Sequence, residues 1–328
     1  MAPTSVCYNW LNECAKFAPT LQVILTGTPM ENRLSELWSL FRFINPGLLG
    51  SLESFSKRFI EPIEQRRDSV ARNSLKKLIQ PFVLRRLKSQ VLSELPPKIE
   101  KTIVIPFDKE EQAFYEALRR NAVEKLSKLS KQEQKRIHIL AEIMRLRRAC
   151  CHSALVQPEV SISSTKLRVF LELVEELRAN NHRALVFSQF VGFLEKVRLL
   201  LDEAGISYQY LDGSTPMDVR QSRVNDFQNG KGDLFLISLK AGGTGLNLTA
   251  ADYVVHLDPW WNPAVEDQAS DRAHRIGQTI YRLIMESTIE EKMLALHKDK
   301  RSLVNDLLDG TDMSGKLSDE ELLLLLGG

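Results

Sequence analysis

Several absences narrow what this chain can be. Its 328 residues contain four cysteines, Cys7, Cys14, Cys150 and Cys151, and none is spaced as C-x-x-C. That argues against a disulfide-stapled scaffold or a cysteine-based metal site, and for reduced thiols in a reducing compartment. No apolar run approaches the roughly 18 residues of a membrane span. The opening "MAPTSVCYNW" has no basic stretch leading into a long apolar one, so no secretory signal is read there. Net charge is only +2, so any affinity for nucleic acid must come from local clusters. The phosphate-cradling pattern G-x-x-x-x-G-K-[ST] is absent, and there are no internal repeats. The balance of 43% hydrophobic and 26% charged residues is that of an ordinary globular chain, long enough for two domains.

The C-terminal half has a regular pattern. "RALVFS", "SYQYLDG", "DLFLIS", "ADYVVHLD" and "IYRLIM" are short apolar runs of strand character. Between them, "TKLRVFLELVEELRAN", "FLEKVRLLLDEAG" (closed by Gly205), "MDVRQSRVNDFQNG" and "AVEDQASDRAHRI" have helical spacing. Such alternation predicts a parallel sheet covered on both faces. The N-terminal half offers one strand-like run, "LQVILTG", then helix-like stretches through "RNSLKKLIQPFVLRRL". "KIEKTIVIPF" reads as extended, and residues 109–151 as one long helical stretch. The tail "LSDEELLLLLGG" carries a capping box, Ser318 with Glu321, and predicts a short docking helix.

Two stretches carry chemistry. "SLKAGGTGLNLTAADYVVHLD" leaves a strand end, where open α/β sheets bind ligands. Gly242, Gly243 and Gly245 let backbone N–H groups approach a phosphate, with Ser238, Lys240, Thr244 and Asn247 as polar equipment beyond what a plain turn needs. In "DPWWNPAVEDQASDRAHRIGQ", Gln268, Arg272 and Arg275 stand at 0, +4 and +7 on one helical face. Paired guanidinium groups suit a polyphosphate, though a lone arginine pair is more often solvated surface. Of Trp260 and Trp261, one is expected to pack in the core and the other to meet DNA or a domain partner. Two basic clusters, "LRRLKSQ" (Arg85, Arg86, Lys88) and "MRLRRACCH" (Arg145, Arg147, Arg148), default to solvated or bracing roles. The second would supply sequence-independent phosphate contacts if it faced a DNA cleft.

Taken in order, "LTGTPMENRLSELWSLFRFINPGLLGS", "QPFVLRRLKSQV", "LVFSQF", "YLDGST", the glycine-rich stretch with its "DRAHRIGQ" continuation, and "TIEEKMLALH" closely resemble the Swi/Snf family of ATP-driven double-stranded DNA translocases, bacterial type. The resemblance implies an α/β fold: a C-terminal RecA-like parallel-sheet lobe, an α-helical insertion region, and a remnant of a first RecA-like lobe. The expected domains are 1–50 for that remnant, 51–162 for the helical insertions, 163–310 for the second lobe and 311–328 for a docking tail. It further implies that Arg272 and Arg275 are arginine fingers acting on the γ-phosphate of ATP, with Gln268 beside them. Gly27 and Thr28 of "LTGTP", with Gly243 and Gly245, fall in its nucleotide-side motifs. DNA contacts are implied for Ser188, Gln189, Asp212, Gly213, Ser238, Lys240, Gly242, Gly243, Thr244, Asn247 and Trp260, and Arg145 and Arg148 are added from the basic cluster. The implied cofactors are ATP and Mg²⁺. The implied partner is double-stranded DNA without sequence preference, with a protein–DNA complex as substrate. The implied location is cytoplasmic, on the bacterial nucleoid, with no membrane.

This sequence departs from the family at three places. The Walker A lysine loop and the acidic D-E-x-H box are not among its residues, and the family's basic insert after Gln278 is shorter. "LDEAG" at 201–205 is no substitute for the acidic box, because it ends a second-lobe helix. The expectation is a motor-lobe part of a translocase that does not hydrolyse ATP alone. The rival is a non-catalytic DNA-binding or regulatory module of such a protein.

Overall fold

The computed structural model describes residues 34–65, 68–83, 99–128, 132–242, 248–261, 263–270, 279–295 and 325–326. The expected strand at 21–27, the cluster at Arg85, Arg86 and Lys88, and the capping box at Ser318 and Glu321 lie outside them. The chain divides into two compact units, residues 1–94 with 298–316, and residues 95–297 with 317–328.

The first unit is helical where described. Helix α1 (Leu34–Ile44) buries Leu34, Leu37, Trp38 and Phe41, the 0, +3, +4, +7 stripe of an amphipathic helix. They pack with Phe55, Phe59, Ile63, and Leu75 and Ile79 of α2 (Ser69–Ile79). Between α1 and α2 a short turn, Leu52–Phe55, widens into a π-helix, Ser56–Gln65, that holds Pro62. The helical reading of "RNSLKKLIQPFVLRRL" ends early. At Pro81 the chain tightens into a 3₁₀ turn, Gln80–Phe82, and Val83 is extended.

The second unit is built on one six-stranded sheet of order β1-β6-β5-β2-β4-β3, every neighbouring pair parallel. Its strands are β1 (Ile99–Ile105), β2 (Ala184–Ser188), β3 (Tyr208–Leu211), β4 (Leu234–Ser238), β5 (Tyr253–His256) and β6 (Thr279–Met285). All five residues of β2 and of β4 are buried, as apolar runs in a doubly covered sheet must be. Alternate residues feed opposite cores. Ala184, Val186, Leu234 and Leu236 join one cluster, and Leu185, Phe187, Phe235 and Ile237 the other.

The first cluster is covered by α3 (Lys109–Ser127), α4 (Gln132–Cys151), α5 (Thr165–Ala179) and α6 (Val191–Glu203). The second takes Val224 and Phe227 from α7 (Met217–Gln228), and Ala269 from α8 (Pro263–Ser270). The single long helix expected over 109–151 is two helices, with α3 ending at Ser127. The extended segment expected after Pro97 is a sheet strand: β1 pairs along its whole length with β6. Sheet residues of this unit therefore begin well before residue 163. Leu325 and Leu326 of the tail are buried in the first cluster, and Lys292 and Arg119 donate to their carbonyls at 3.5 Å.

Helices α5, α6 and α7 stop the same way. After α6, the Gly205 N–H donates to Asp202 and the Ile206 N–H to Leu201, with Gly205 at φ +63°. This left-handed turn releases the chain into β3, and buried Ile206 and Leu201 seal it. Asn181 and Gly230 occupy the same position after α5 and α7. A Cβ at Gly205 would meet open space. Gly205→Ala is therefore expected to cost about 1–2 kcal/mol through backbone strain alone, read as a lower urea midpoint. An unchanged midpoint would show that the turn does not depend on a left-handed residue.

Candidate functional site at the carboxyl ends of the strands

In a parallel sheet covered on both faces, the carboxyl edge is where loops can present chemistry. Register lines that edge up. Ser188 and Ser238 are paired neighbours, Leu211 stands beside Ile237, and His256 beside Phe187. Asp212 follows Leu211 and Leu257 follows His256, so the sequence-selected positions 188, 212 and 238 sit in adjacent places along one edge.

Their side chains are occupied internally. Ser188 is fully buried; its hydroxyl donates to Asp258 and accepts from the Phe190 N–H at 3.1 Å. The Gln189 N–H donates to the same carboxylate at 3.3 and 3.4 Å. Ser238 is buried and accepts from the Ala241 N–H at 3.3 Å. That bond caps one helical turn, Leu239–Gly242, so the stretch read as a glycine loop begins as helix and carries Lys240 and Gly242 on it. The two serines expected to contact phosphate thus also hold the turns at the strand ends. Each accepts a backbone N–H, and Ser188 also bonds the Asp258 carboxylate.

Asp212 organises the turn at the end of β3. Its carboxylate accepts from the Ser214 N–H at 2.9 Å, from the hydroxyls of Ser214 at 2.7 Å and Thr215 at 3.1 Å, and from Tyr210 at 2.8 Å. Burial pushes this carboxyl up, but these donors outweigh it and hold it at about 2. Gly213 is exposed at the tip of the turn.

The segment Leu257–Trp261 leaves β5 for α8, and buried charges hold it. Lys166 Nζ donates to the Leu257 carbonyl at 3.0 Å and to both Glu290 oxygens at 2.7 Å, with neither side chain exposed. Arg147 donates to the Pro259 carbonyl and lies 3.9 Å from Asp258. Its guanidinium lies over the rings of Phe190 and Trp261, each 5.5 Å away. Glu266 accepts from the Trp260 N–H at 2.6 Å and from Arg282 at 3.1 Å.

Burial alone would lower the Lys166 ammonium, and the adjacent Glu290 more than compensates and raises it. Burial lowers Arg147 against the pull of Asp258, and burial pushes Asp258 up to about 6 against Arg147. Burial also raises the thiols of Cys150 and Cys151, which are inert core residues.

Trp260 and Trp261 are both partly buried, and they pack on opposite faces of the sheet. Arg145 is half-buried beside Glu142 at 3.8 Å, and Arg148 is exposed with its guanidinium 5.9 Å from the Phe190 ring. Gln268 lies on α8. Gly27, Thr28, Gly243, Thr244, Gly245, Asn247, Arg272 and Arg275 fall outside the described residues. Sequence reasoning did not assign Lys166, Asp258, Glu266, Arg282 or Glu290. Arg282 offered a signal, a lone charge inside the apolar strand "YRLIM". Among the described residues no cluster of His, Cys, Asp or Glu could hold a metal ion, and no helix is long and apolar enough to cross a membrane.

Comparison with known proteins agrees with this architecture. The SNF2-related domain matches residues 12–155 and the helicase conserved C-terminal domain matches residues 165–277. The chain belongs to the SNF2 family. YwqA of Bacillus subtilis, an ATP-dependent helicase/translocase by its name, is 41% identical over 312 residues, covering 92% of this chain and 34% of YwqA. The human SWI/SNF-related matrix-associated actin-dependent regulator of chromatin subfamily A member 1 is 32% identical, covering 95% of this chain and 32% of its own length. This SNF2-family chain thus spans about a third of the length of the curated relatives it matches. The Sulfolobus solfataricus SWI2/SNF2 ATPase core in complex with dsDNA superposes with a TM-score of 0.59 at 29% identity, covering 99% of this chain and 85% of that one. The C-terminal domain of that ATPase gives 0.58 at 29% identity, covering 70% of this chain and 99% of that domain.

Two outcomes follow from the buried charges. Lys166→Met strands a buried carboxylate and is expected to cost about 3–5 kcal/mol. Adding Glu290→Gln, which can still accept the Met285 N–H now bonded at 3.0 Å, is expected to recover most of that loss in urea unfolding. Single and double variants of equal stability would contradict the pairing. For Asp258 the folded pKa of about 6 lies above the ordinary 3.8. The folded state therefore holds the proton more tightly, and this group's stabilising contribution, full below 3.8, is lost as pH rises through about 6. The stability of the parent relative to Asp258→Asn is expected to decline over that window, and a pH-independent difference would contradict it.

Proposed function

We propose that this chain forms the DNA-binding motor-lobe part of an ATP-dependent double-stranded DNA translocase. The observation that carries the reading is the row of strand-end positions along one sheet edge, at Gln189, Asp212–Gly213 and Ser238–Gly242, in an SNF2-family chain. The superposed Sulfolobus core is a double-stranded DNA complex, which supports the choice of ligand.

In this reading the edge meets phosphates through backbone N–H groups and polar or basic side chains. Ser188, Gln189, Asp212, Gly213, Ser238, Lys240, Gly242, Gly243, Thr244, Asn247, Trp260, Arg145 and Arg148 are the contact positions, with Ser188, Asp212 and Ser238 also holding their loops in shape. Phosphate contacts fix position and carry no base information, so binding is independent of DNA sequence. Arg272 and Arg275, with Gln268, act on ATP by stabilising charge on the transferring phosphoryl group. Gly27, Thr28, Gly243 and Gly245 line the nucleotide side. Mg²⁺ accompanies ATP. The substrate on which translocation acts is a protein–DNA complex, in the cytoplasm on the nucleoid.

The 328 residues alone are expected to bind duplex DNA equally for unrelated sequences, losing about tenfold or more in affinity between 50 and 200 mM salt. They are expected to release no phosphate from Mg²⁺-ATP with or without DNA, since fingers act on a nucleotide already positioned. Filter binding and a phosphate-release assay measure both. Strong sequence preference, salt-independent binding, or DNA-stimulated turnover abolished by Arg272→Ala would contradict this account of the chain.

A further inference from the structure

Helix α8, which carries Gln268, is tied to the sheet by buried polar groups. Among its residues whose side chains are described, Glu266, Ala269 and Ser270 are buried, and two of these three are polar. Ser270 Oγ lies 2.9 Å from His256 Nε2 on β5, and Glu266 Oε2 accepts from Arg282 Nε on β6 at 3.1 Å. His256 and Arg282 are register partners on neighbouring strands, so their side chains leave the same face of the sheet. The line continues outward, with Arg282 Nη1 donating to Glu100 on β1 at 2.7 Å. At the start of the connection the second oxygen of Glu266 holds the Trp260 N–H.

Apolar packing has no preferred direction, so a helix docked by leucines can rotate or slide slightly at small cost. A guanidinium on a carboxylate fixes both rotation and advance, because such bonds weaken steeply off-line. A slip of one residue turns a helix by about 100°. Buried ion pairs add little stability over an apolar exchange of similar volume, so stability alone does not account for this one.

We propose that Glu266 and Arg282 are positioning residues for ATP hydrolysis: their buried pair sets the rotation and register of α8, and with it where Gln268 is presented to the nucleotide. Neither touches the nucleotide; they act through the helix. The inference rests on the reading of Gln268, Arg272 and Arg275 given above.

The test uses the complete two-lobed protein and compares Glu266→Gln/Arg282→Met, Ser270→Ala and Arg272→Ala for ATP turnover, KM for ATP, duplex affinity and thermal midpoint. The double exchange leaves no unpaired buried charge on α8. It is expected to lower kcat about tenfold or more, with KM and duplex affinity each changed less than about threefold. Ser270→Ala, which removes one hydroxyl, is expected to lower kcat in the same way by a smaller factor. It carries the test alone if the double variant does not fold. Parental kcat in the folded variants would overturn the inference, and so would a fall in kcat matched by losses of duplex affinity and melting temperature. If Arg272→Ala also keeps parental turnover, the finger reading has failed. If Arg272→Ala abolishes turnover while the others keep it, only the positioning inference has failed.

Discussion

The β5 end of the sheet's carboxyl edge depends on how five residues, Leu257 to Trp261, are held between β5 and α8. A segment that leaves a buried strand carries backbone groups that need partners, and here ionisable side chains supply them. Lys166 takes the Leu257 carbonyl, Arg147 the Pro259 carbonyl and Glu266 the Trp260 N–H, while Asp258 reaches across to Ser188 and the Gln189 N–H. The cations and anions pair as Lys166 with Glu290, Arg147 with Asp258, and Arg282 with Glu266. These anchors come from α4, α5, β6 and the helical residues 289–295, so the segment is referenced to much of the unit. Such pairs contribute direction more than stability.

The same logic explains why the strand-end serines face inward. Ser188 and Ser238 sit where the sheet stops and loops must turn, and a buried hydroxyl can fix the first bonds of each turn. Asp212 does the equivalent for the loop after β3 with four donors. Such preorganisation suits phosphate binding by backbone N–H groups, which need a rigid frame and no particular base. The sequence-tolerant motor proposed above calls for contacts that repeat along a duplex, which backbone amides on a rigid edge can offer.

Much of the sheet was legible in the sequence. β2, β4 and β6 are apolar runs bounded by turn residues, and Gly205 announced the end of α6 because only a left-handed residue closes that turn. Other features were hidden for physical reasons. β1 reads as an isolated extended segment, since its partner β6 lies some 180 residues away and strand pairing leaves no local trace; the two register at Ile99 with Thr279. The break between α3 and α4 falls in a polar stretch with good helix formers and no proline. Arg147 looked like its neighbours Arg145 and Arg148, yet its helical phase turns it into the core. Lys166 and Glu290 are common surface residue types, and their burial emerges only when α5 and the residues after β6 meet. Ser188 and Ser238 were expected at the strand ends, and the internal partners they take there were not readable.

The claim that this SNF2-family chain belongs to a motor that moves along intact duplex DNA is tested most directly by third-strand displacement. The complete protein is loaded on a duplex bearing a triplex-forming oligonucleotide, and release of that strand is followed with and without ATP. The account calls for ATP-dependent release of the third strand while the duplex stays paired. No release with ATP present, or release that requires the duplex strands to separate, would contradict it.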